Sequence, residues 1–280
     1  MSIHFGVRPL MSSKFLFGAL ILIVHLLAAV SVFSQSLLEP RVTRLEVETP
    51  TRILFVGNSY FYYNDSLHNH VARMLEADNP YLHRAALQFK SSTISGASLA
   101  HHPIEWLVTP GRIGVMEPFE LVILHDGSAQ PLTTQGRARS REIIGNYAAT
   151  IRGQGSQVAL YMTHAYAPPH QRVRADNTTN TAKHYIETGN EINVLVIPVG
   201  LAFEEAYRRR PAIKLHAEFD GSHPSLLGTY LAACVSYNSI YGKACVGNSY
   251  DYFGRINASD LSFLQEVGDA VVAQFLKRKP

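Results

Sequence analysis

The chain has 280 residues and a net charge of +3, with 46% hydrophobic against 17% charged residues; this suits a sizeable folded core and excludes a disordered or collagen-like chain. Lys and Arg are scattered, apart from a run at Arg208, Arg209 and Arg210 that reads as a solvated helix end, so no basic stripe points to nucleic acid. Cys234 and Cys245 are too few for a disulfide scaffold and lack zinc-site spacing, which leaves open one disulfide in an oxidising compartment or two buried thiols.

Arg8 and Lys14 precede an apolar run from Phe15 to Phe33, and Val32 and Ser34 stand before a cut near Gln35. That pattern predicts a secretory signal peptide over residues 1–34. The run is also long enough for an uncleaved signal anchor, because about 20 apolar residues span a bilayer. Residues 35–51, polar from Glu39 to Thr51 and bracketed by Pro40 and Pro50, read as a linker, with a single domain over 52–280.

Within that domain, five short apolar runs follow in order: Ile53 to Val56, Leu87 to Phe89, Leu121 to Leu124, Val158 to Met162, and Val194 to Val199. Continuous runs separated by longer helical stretches predict parallel strands covered on both faces. A first helix is expected after a capping Asp65, with Leu67, Val71, Met74 and Leu75 on one face and Pro80 ending the pattern. Another should start at Pro224 and turn Leu227, Tyr230, Leu231 and Cys234 inward. The last spans about Asp260 to Lys277, with Leu261, Leu264, Val267, Val271 and Phe275 as its apolar stripe and Gly268 as a weak point. These elements predict a three-layer α/β/α sandwich around a five-stranded parallel sheet.

Ligands of such sheets bind outside the carboxyl ends of the strands. Gly57-Asn58-Ser59 follows the first strand, where a glycine permits a tight exit and the serine can sit on the turn into a helix. Far along the chain, Asp220-Gly221-Ser222-His223 precedes Pro224, and its spacing lets the carboxylate reach one ring nitrogen while the other faces a pocket. A helix beginning there would also help keep His223 a neutral base. Alone, the first segment equally suits a structural turn and the second a helix cap.

The other histidines carry weaker signals. His68 and His70 fall on different faces of a helix, which argues against a shared metal. His101 and His102 could line the pocket or the surface, and His164, after the fourth strand, is expected to contact substrate. Asn64, Asn177 and Asn257 each begin an N-x-[ST] sequence, but a glycan five residues after Ser59 would obstruct the pocket. These are read as accidental, in keeping with a bacterial exported protein.

Taken together, Ile53-Leu54-Phe55-Val56-Gly57-Asn58-Ser59-Tyr60 and Asp220-Gly221-Ser222-His223 resemble the first and fifth blocks of the SGNH hydrolases, which include the GDSL esterases and lipases. Asn58 stands where the first block of GDSL members has Asp. The resemblance runs from about Arg52 to the C-terminal helix, although only the short blocks are specific. It implies a flavodoxin-like fold, Ser59 as nucleophile, His223 as base and Asp220 as its orienting acid. Ser95-Gly96-Ala97-Ser98 resembles the second block, so Gly96 would join the Ser59 N–H in an oxyanion hole. The third block departs: His125-Asp126-Gly127-Ser128-Ala129-Gln130 puts Ala129 where the family has Asn. A replacement donor could come from His125 or Gln130, with His125 ranked first because strand ends are better fixed than loops. The resemblance further implies an exported, periplasmic or extracellular serine esterase acting on small or carbohydrate-borne acyl esters, O-acetylated polysaccharide foremost, with no metal, cofactor or nucleic-acid partner. The rival reading is a non-catalytic exported carbohydrate-binding protein on the same fold, which the altered third block favours.

Overall fold

The computed structural model describes residues 1–2, 38–79 and 81–278. The expected signal or anchor, apart from its first two residues, and Pro80 lie outside the described residues. Among the described residues no helix is long and apolar enough to cross a membrane.

The apolar runs form β1 (Arg52–Gly57), β2 (Gln88–Thr93), β3 (Leu121–Leu124), β4 (Gln157–Tyr161) and β5 (Leu195–Ile197). All pair in parallel in the order β2-β1-β3-β4-β5, with Ile53 opposite both Phe89 and Leu121. The chain direction across the sheet reverses at β1, which leaves a crevice between the carboxyl ends of β1 and β3. The second strand is displaced from the expected Leu87 to Phe89 and begins at Gln88. Its last four residues, Lys90 to Thr93, are half-buried and polar, so the apolar run marks only its start.

Helices cover both faces, as strand alternation requires. Ile53 and Phe55 point to the face packed by α2 (Leu67–Asp78), α6 (Val199–Arg209), α7 (Leu226–Tyr241) and α8 (Ala258–Phe275). Leu54 and Val56 point to the other, covered by α3 (Ile104–Val108), α4 (Thr134–Gly153) and α5 (Asn177–Glu191). A single helical turn, α1 (Ser59–Tyr62), follows β1. The architecture is thus the three-layer α/β/α sandwich.

Helix starts differ from expectation in two places. Asp65 does not cap α2; Ser66 holds the cap position without a side-chain hydrogen bond, and Asn64, Asp65 and Ser66 all have positive φ. Ser225, not Pro224, precedes α7, its hydroxyl accepting from the Gly228 N–H at 3.2 Å. Helix α7 is buried nearly all round, which explains why its sequence is apolar on every face. Its Cys234 is disulfide-bonded to Cys245, with Cα atoms 5.5 Å apart.

Residues 40–51 contain no helix or strand but lie against the body. Val42 and Leu45 pack on the core, the Thr43 carbonyl accepts from Arg278, and the Pro50 carbonyl accepts from the Tyr241 hydroxyl. Arg208 and Arg209 pair with Glu205, and Arg210 pairs with Asp260 at 2.6 Å while covering the Phe263 ring.

Candidate active site

Ser59 opens α1 directly after β1, on a turn shaped by Gly57 and Asn58. A Cβ on Gly57 would come within 2.6 Å of the His125 ring, so only glycine lets that ring pack beneath the turn. Asn58 ties three segments together. Its Oδ1 accepts from the Tyr60 N–H at 3.1 Å and from His125 Nε2 at 2.8 Å, while its Nδ2 donates to the Ala97 carbonyl at 3.0 Å. The nucleophile turn is thereby fastened to β3 and to the loop carrying Gly96.

His223 meets Ser59 from the opposite wall: its Nε2 lies 2.9 Å from Ser59 Oγ, and its Nδ1–H donates to Asp220 Oδ2. The carboxylate fixes the tautomer, leaving Nε2 free to accept from the serine hydroxyl. Asp220 Oδ1 accepts from the N–H groups of Ser222 at 2.8 Å and His223 at 3.1 Å. Burial pushes the Asp220 carboxyl up, but these backbone donors and the His223 ring outweigh it and hold it below its ordinary value. Gly221, at φ +64°, docks where a Cβ would sit 2.0 Å from the Ala167 carbonyl, so the Asp-to-His turn requires glycine on both backbone and steric grounds. Tyr63 stacks on the His223 ring, centroids 4.1 Å apart.

The serine opens on a cleft of about 350 Å³ lined by Ser59, Gly96, Gln130, Tyr166, Arg172 and His223 among others. The N–H groups of Ser59 and Gly96 carry no hydrogen bond among the described residues and are available to an oxyanion. Asp126 binds the cleft's loops together, its Oδ1 accepting from the Leu99 N–H at 2.9 Å and the Gly127 N–H at 2.7 Å.

Two expected site residues are displaced from the cleft. His125, 1% exposed, is packed under Gly57 and spends Nε2–H on Asn58, so it is not placed as the oxyanion donor. Burial lowers its pKa to about 3 and keeps it neutral. His164, 2% exposed, does not touch the cleft; it is sandwiched between Tyr60 and Phe203, both centroids 4.2 Å away, and Nε2 donates to the Ser222 carbonyl at 2.8 Å. It supports the turn holding Asp220 and His223 from behind. Gln130, by contrast, does line the cleft.

The other polar residues are mostly committed internally. His70 is satisfied by the Asn64 carbonyl and the Tyr250 hydroxyl, and His101 by Ser98. Among the described residues no His, Cys, Asp and Glu cluster could hold a metal ion. Asn64 Nδ2 donates to the Pro224 carbonyl at 2.9 Å and Thr229 Oγ1 at 2.8 Å, so it joins the segment after Ser59 to the segment after His223. Asn177 and Asn257 also spend their Nδ2 groups internally, on the Arg172 carbonyl and on Asp260.

Motif reading missed Asn64, Asp126, Tyr166 and Arg172. Asp126 and Tyr166 could have been weighed from their places after β3 and β4; Asn64 is marked only by its N-x-[ST] sequence, and nothing local marks Arg172.

No protein-family model matches the chain, and no curated protein matches it. Solved structures do share its fold. A DUF4886 family protein from Bacteroides uniformis superposes with a TM-score of 0.60 at 18% identity, covering 81% of this chain and 95% of that one. A "putative SGNH hydrolase" from Slackia heliotrinireducens gives 0.52 at 23% identity, covering 68% and 99%. The acetyl xylan esterase Axe2 of Geobacillus stearothermophilus gives 0.53 at 13%, covering 70% and 96%. The five-stranded α/β/α fold is therefore one that this chain shares with a putative SGNH hydrolase and an acetyl xylan esterase.

Proposed function

We propose that this chain is an exported serine esterase in which Ser59, His223 and Asp220 form the catalytic triad. The observation that carries the reading is the continuous hydrogen-bonded line from Ser59 Oγ through both ring nitrogens of His223 to Asp220, at the mouth of a cleft. Asn58 in place of the first-block Asp is compatible with it, because both polar atoms of the Asn58 side chain are spent on ordering the turn.

In this mechanism Ser59 Oγ attacks the ester carbonyl carbon as its proton passes to His223 Nε2. The carbonyl oxygen becomes an oxyanion held by the N–H groups of Ser59 and Gly96, with the Gln130 side-chain amide as third donor. Collapse breaks the carbonyl–alkoxy bond, and the alcohol leaves with the proton from His223. Water then attacks the acyl-enzyme, giving its proton to His223, and the acid is released as Ser59 regains its hydrogen. Asp220 stays ionised and stabilises the imidazolium.

The acyl group is assigned as small, O-acetyl foremost, because the cleft is of modest volume and an acetyl xylan esterase shares the fold. Export is supported by the N-terminal sequence and by the disulfide, which persists in an oxidising compartment. Labelling with a serine-directed phosphonate tests the reading: Ser59 should react and Ser59→Ala should not. An inert serine in folded protein would return the case to the carbohydrate-binding alternative.

A further inference from the structure

The loop joining β4 to α5 makes one wall of the cleft, and it is held in place at several points. The Tyr166 hydroxyl meets Ser128 Oγ at 2.8 Å, and the Tyr166 ring stacks on His170 with centroids 3.8 Å apart. The Arg172 N–H donates to His170 Nδ1 at 3.1 Å, and its carbonyl accepts from Asn177 Nδ2 at 2.7 Å. Asn177, 3% exposed, is the first residue of α5, so Arg172 is anchored at both its backbone groups.

Its side chain is not. Among the described residues the Arg172 guanidinium has no hydrogen bond, ion pair or ring contact, although it lines the cleft that holds Ser59 and His223. Neighbouring Arg174 instead spends its guanidinium on the carbonyls of Gln171 and Val173. No Asp or Glu lines the cleft, and Asp220 behind it is committed to His223 and two backbone N–H groups. The site therefore presents an exposed cation with no counter-charge on an anchored stretch of backbone, and a guanidinium suits a carboxylate. The Ala167 N–H donates to the Gly221 carbonyl at 2.8 Å, which sets the loop carrying Arg172 against the Asp220–His223 turn. That turn is where His223 returns a proton to the departing alcohol.

Resting on the esterase reading, we propose that Arg172 binds a carboxylate on the alcohol portion of the substrate, so that the site takes acyl esters of acidic sugars or related hydroxy acids. The exposed rings of Tyr62 and Phe219, beside the stacked Tyr63 and His223, offer apolar faces on which a sugar ring can rest.

The test compares kcat/KM on an O-acetylated methyl glucuronide, its neutral methyl glucoside counterpart, 4-nitrophenyl acetate and the 4-nitrophenyl hemiester of succinate. The uronate should be favoured over the glucoside by about 10-fold, mainly through KM, as a charge-assisted contact provides. Arg172→Gln should bring that ratio to about one, Arg172→Lys should keep part of it, and added salt should shrink it in the native protein. Equal use of uronate and glucoside, with 4-nitrophenyl acetate still hydrolysed, overturns the proposal and leaves the esterase standing. A preference confined to the succinate hemiester overturns the placement on the alcohol side. No turnover of any ester, with Ser59 inert to phosphonate, removes the esterase reading and this proposal with it.

Discussion

His223 and His164 are held against the same residue from two sides. His223 follows Ser222 in the chain, and His164 donates from Nε2 to the Ser222 carbonyl. Each ring is stacked on a tyrosine, Tyr63 for His223 and Tyr60 for His164. They differ in what their other nitrogen meets. His223 Nδ1 faces the Asp220 carboxylate, which favours a proton arriving at Nε2, whereas His164 Nδ1 has no partner and the ring is sealed among Tyr60, Phe203 and His216. Burial first, and then nearby His216, hold the His164 pKa well below its ordinary value. A carboxylate and an open side suit one histidine to the proposed role of base, and their absence makes the other a strut.

Breaking the reactive half of this contrast should give the largest effect. Ser59→Ala and His223→Ala should each lower kcat by about 10⁴- to 10⁶-fold in esterase assays, since nucleophile and base act as a unit. Asp220→Asn should leave a measurable remnant, because that acid orients and supports without touching substrate. Substantial activity in folded His223→Ala would overturn the triad.

Next in size is the third oxyanion donor. With His125 turned to Asn58, the role passes to Gln130, and Gln130→Ala should reduce kcat by roughly 10²–10³-fold with little change in melting temperature. An unaltered kcat would mean that the hole consists of backbone N–H groups alone.

How much of this was legible in sequence follows the same division. The hydrogen-bonded Ser59–His223–Asp220 arrangement could be read because Asp220 and His223 lie within one short turn, and Gly57-Asn58-Ser59 within another, so local spacing carried the geometry. The strands β1, β3, β4 and β5 could be read because burial on both faces demands continuous apolar runs. Beyond Phe89, β2 is only half-buried and escapes that demand, so its polar half was invisible. The misplacements of His125 and His164 have a common cause: a strand end can direct a side chain into the cleft or beneath it. The choice depended on distant partners, the missing Cβ of Gly57 for one and the Phe203 ring for the other. The free guanidinium of Arg172 was hidden for the converse reason, since only the fold shows which arginines find partners.

A sharper probe of the nucleophile turn is Asn58→Asp, which would recreate the Gly-Asp-Ser sequence. Asn58 donates to the Ala97 carbonyl and accepts from the Tyr60 and His125 N–H groups, and a carboxylate can keep only the accepting half. The substitution should cost about 1–3 kcal/mol in urea unfolding, the range for leaving a buried polar group unpaired. Stability equal to the native protein would show that the Gly96 loop can re-form around an aspartate.

The smallest expected effect concerns a strut far from the cleft. His184, at the interface of α5 with α4, meets Ser140 Oγ at 3.1 Å. Burial, aided by nearby Arg141 and Arg137, lowers its pKa to about 4. Unfolded, it would titrate at about 6.5. Between those values the unfolded chain binds the extra proton, so stability rises with pH through this window and is lost as pH falls. For this residue the loss between pH 7.5 and 5 should be about 2 kcal/mol. His125 adds a decline of the same sign, so the native protein should lose stability over that interval by more than one histidine provides. His184→Gln can bond Ser140 but cannot take up a proton, so its unfolding free energy should fall less steeply with acid, while esterase activity, whose residues lie elsewhere, is retained. An unchanged pH slope of stability in His184→Gln would show that this histidine accepts its proton in the folded state as readily as in the unfolded chain.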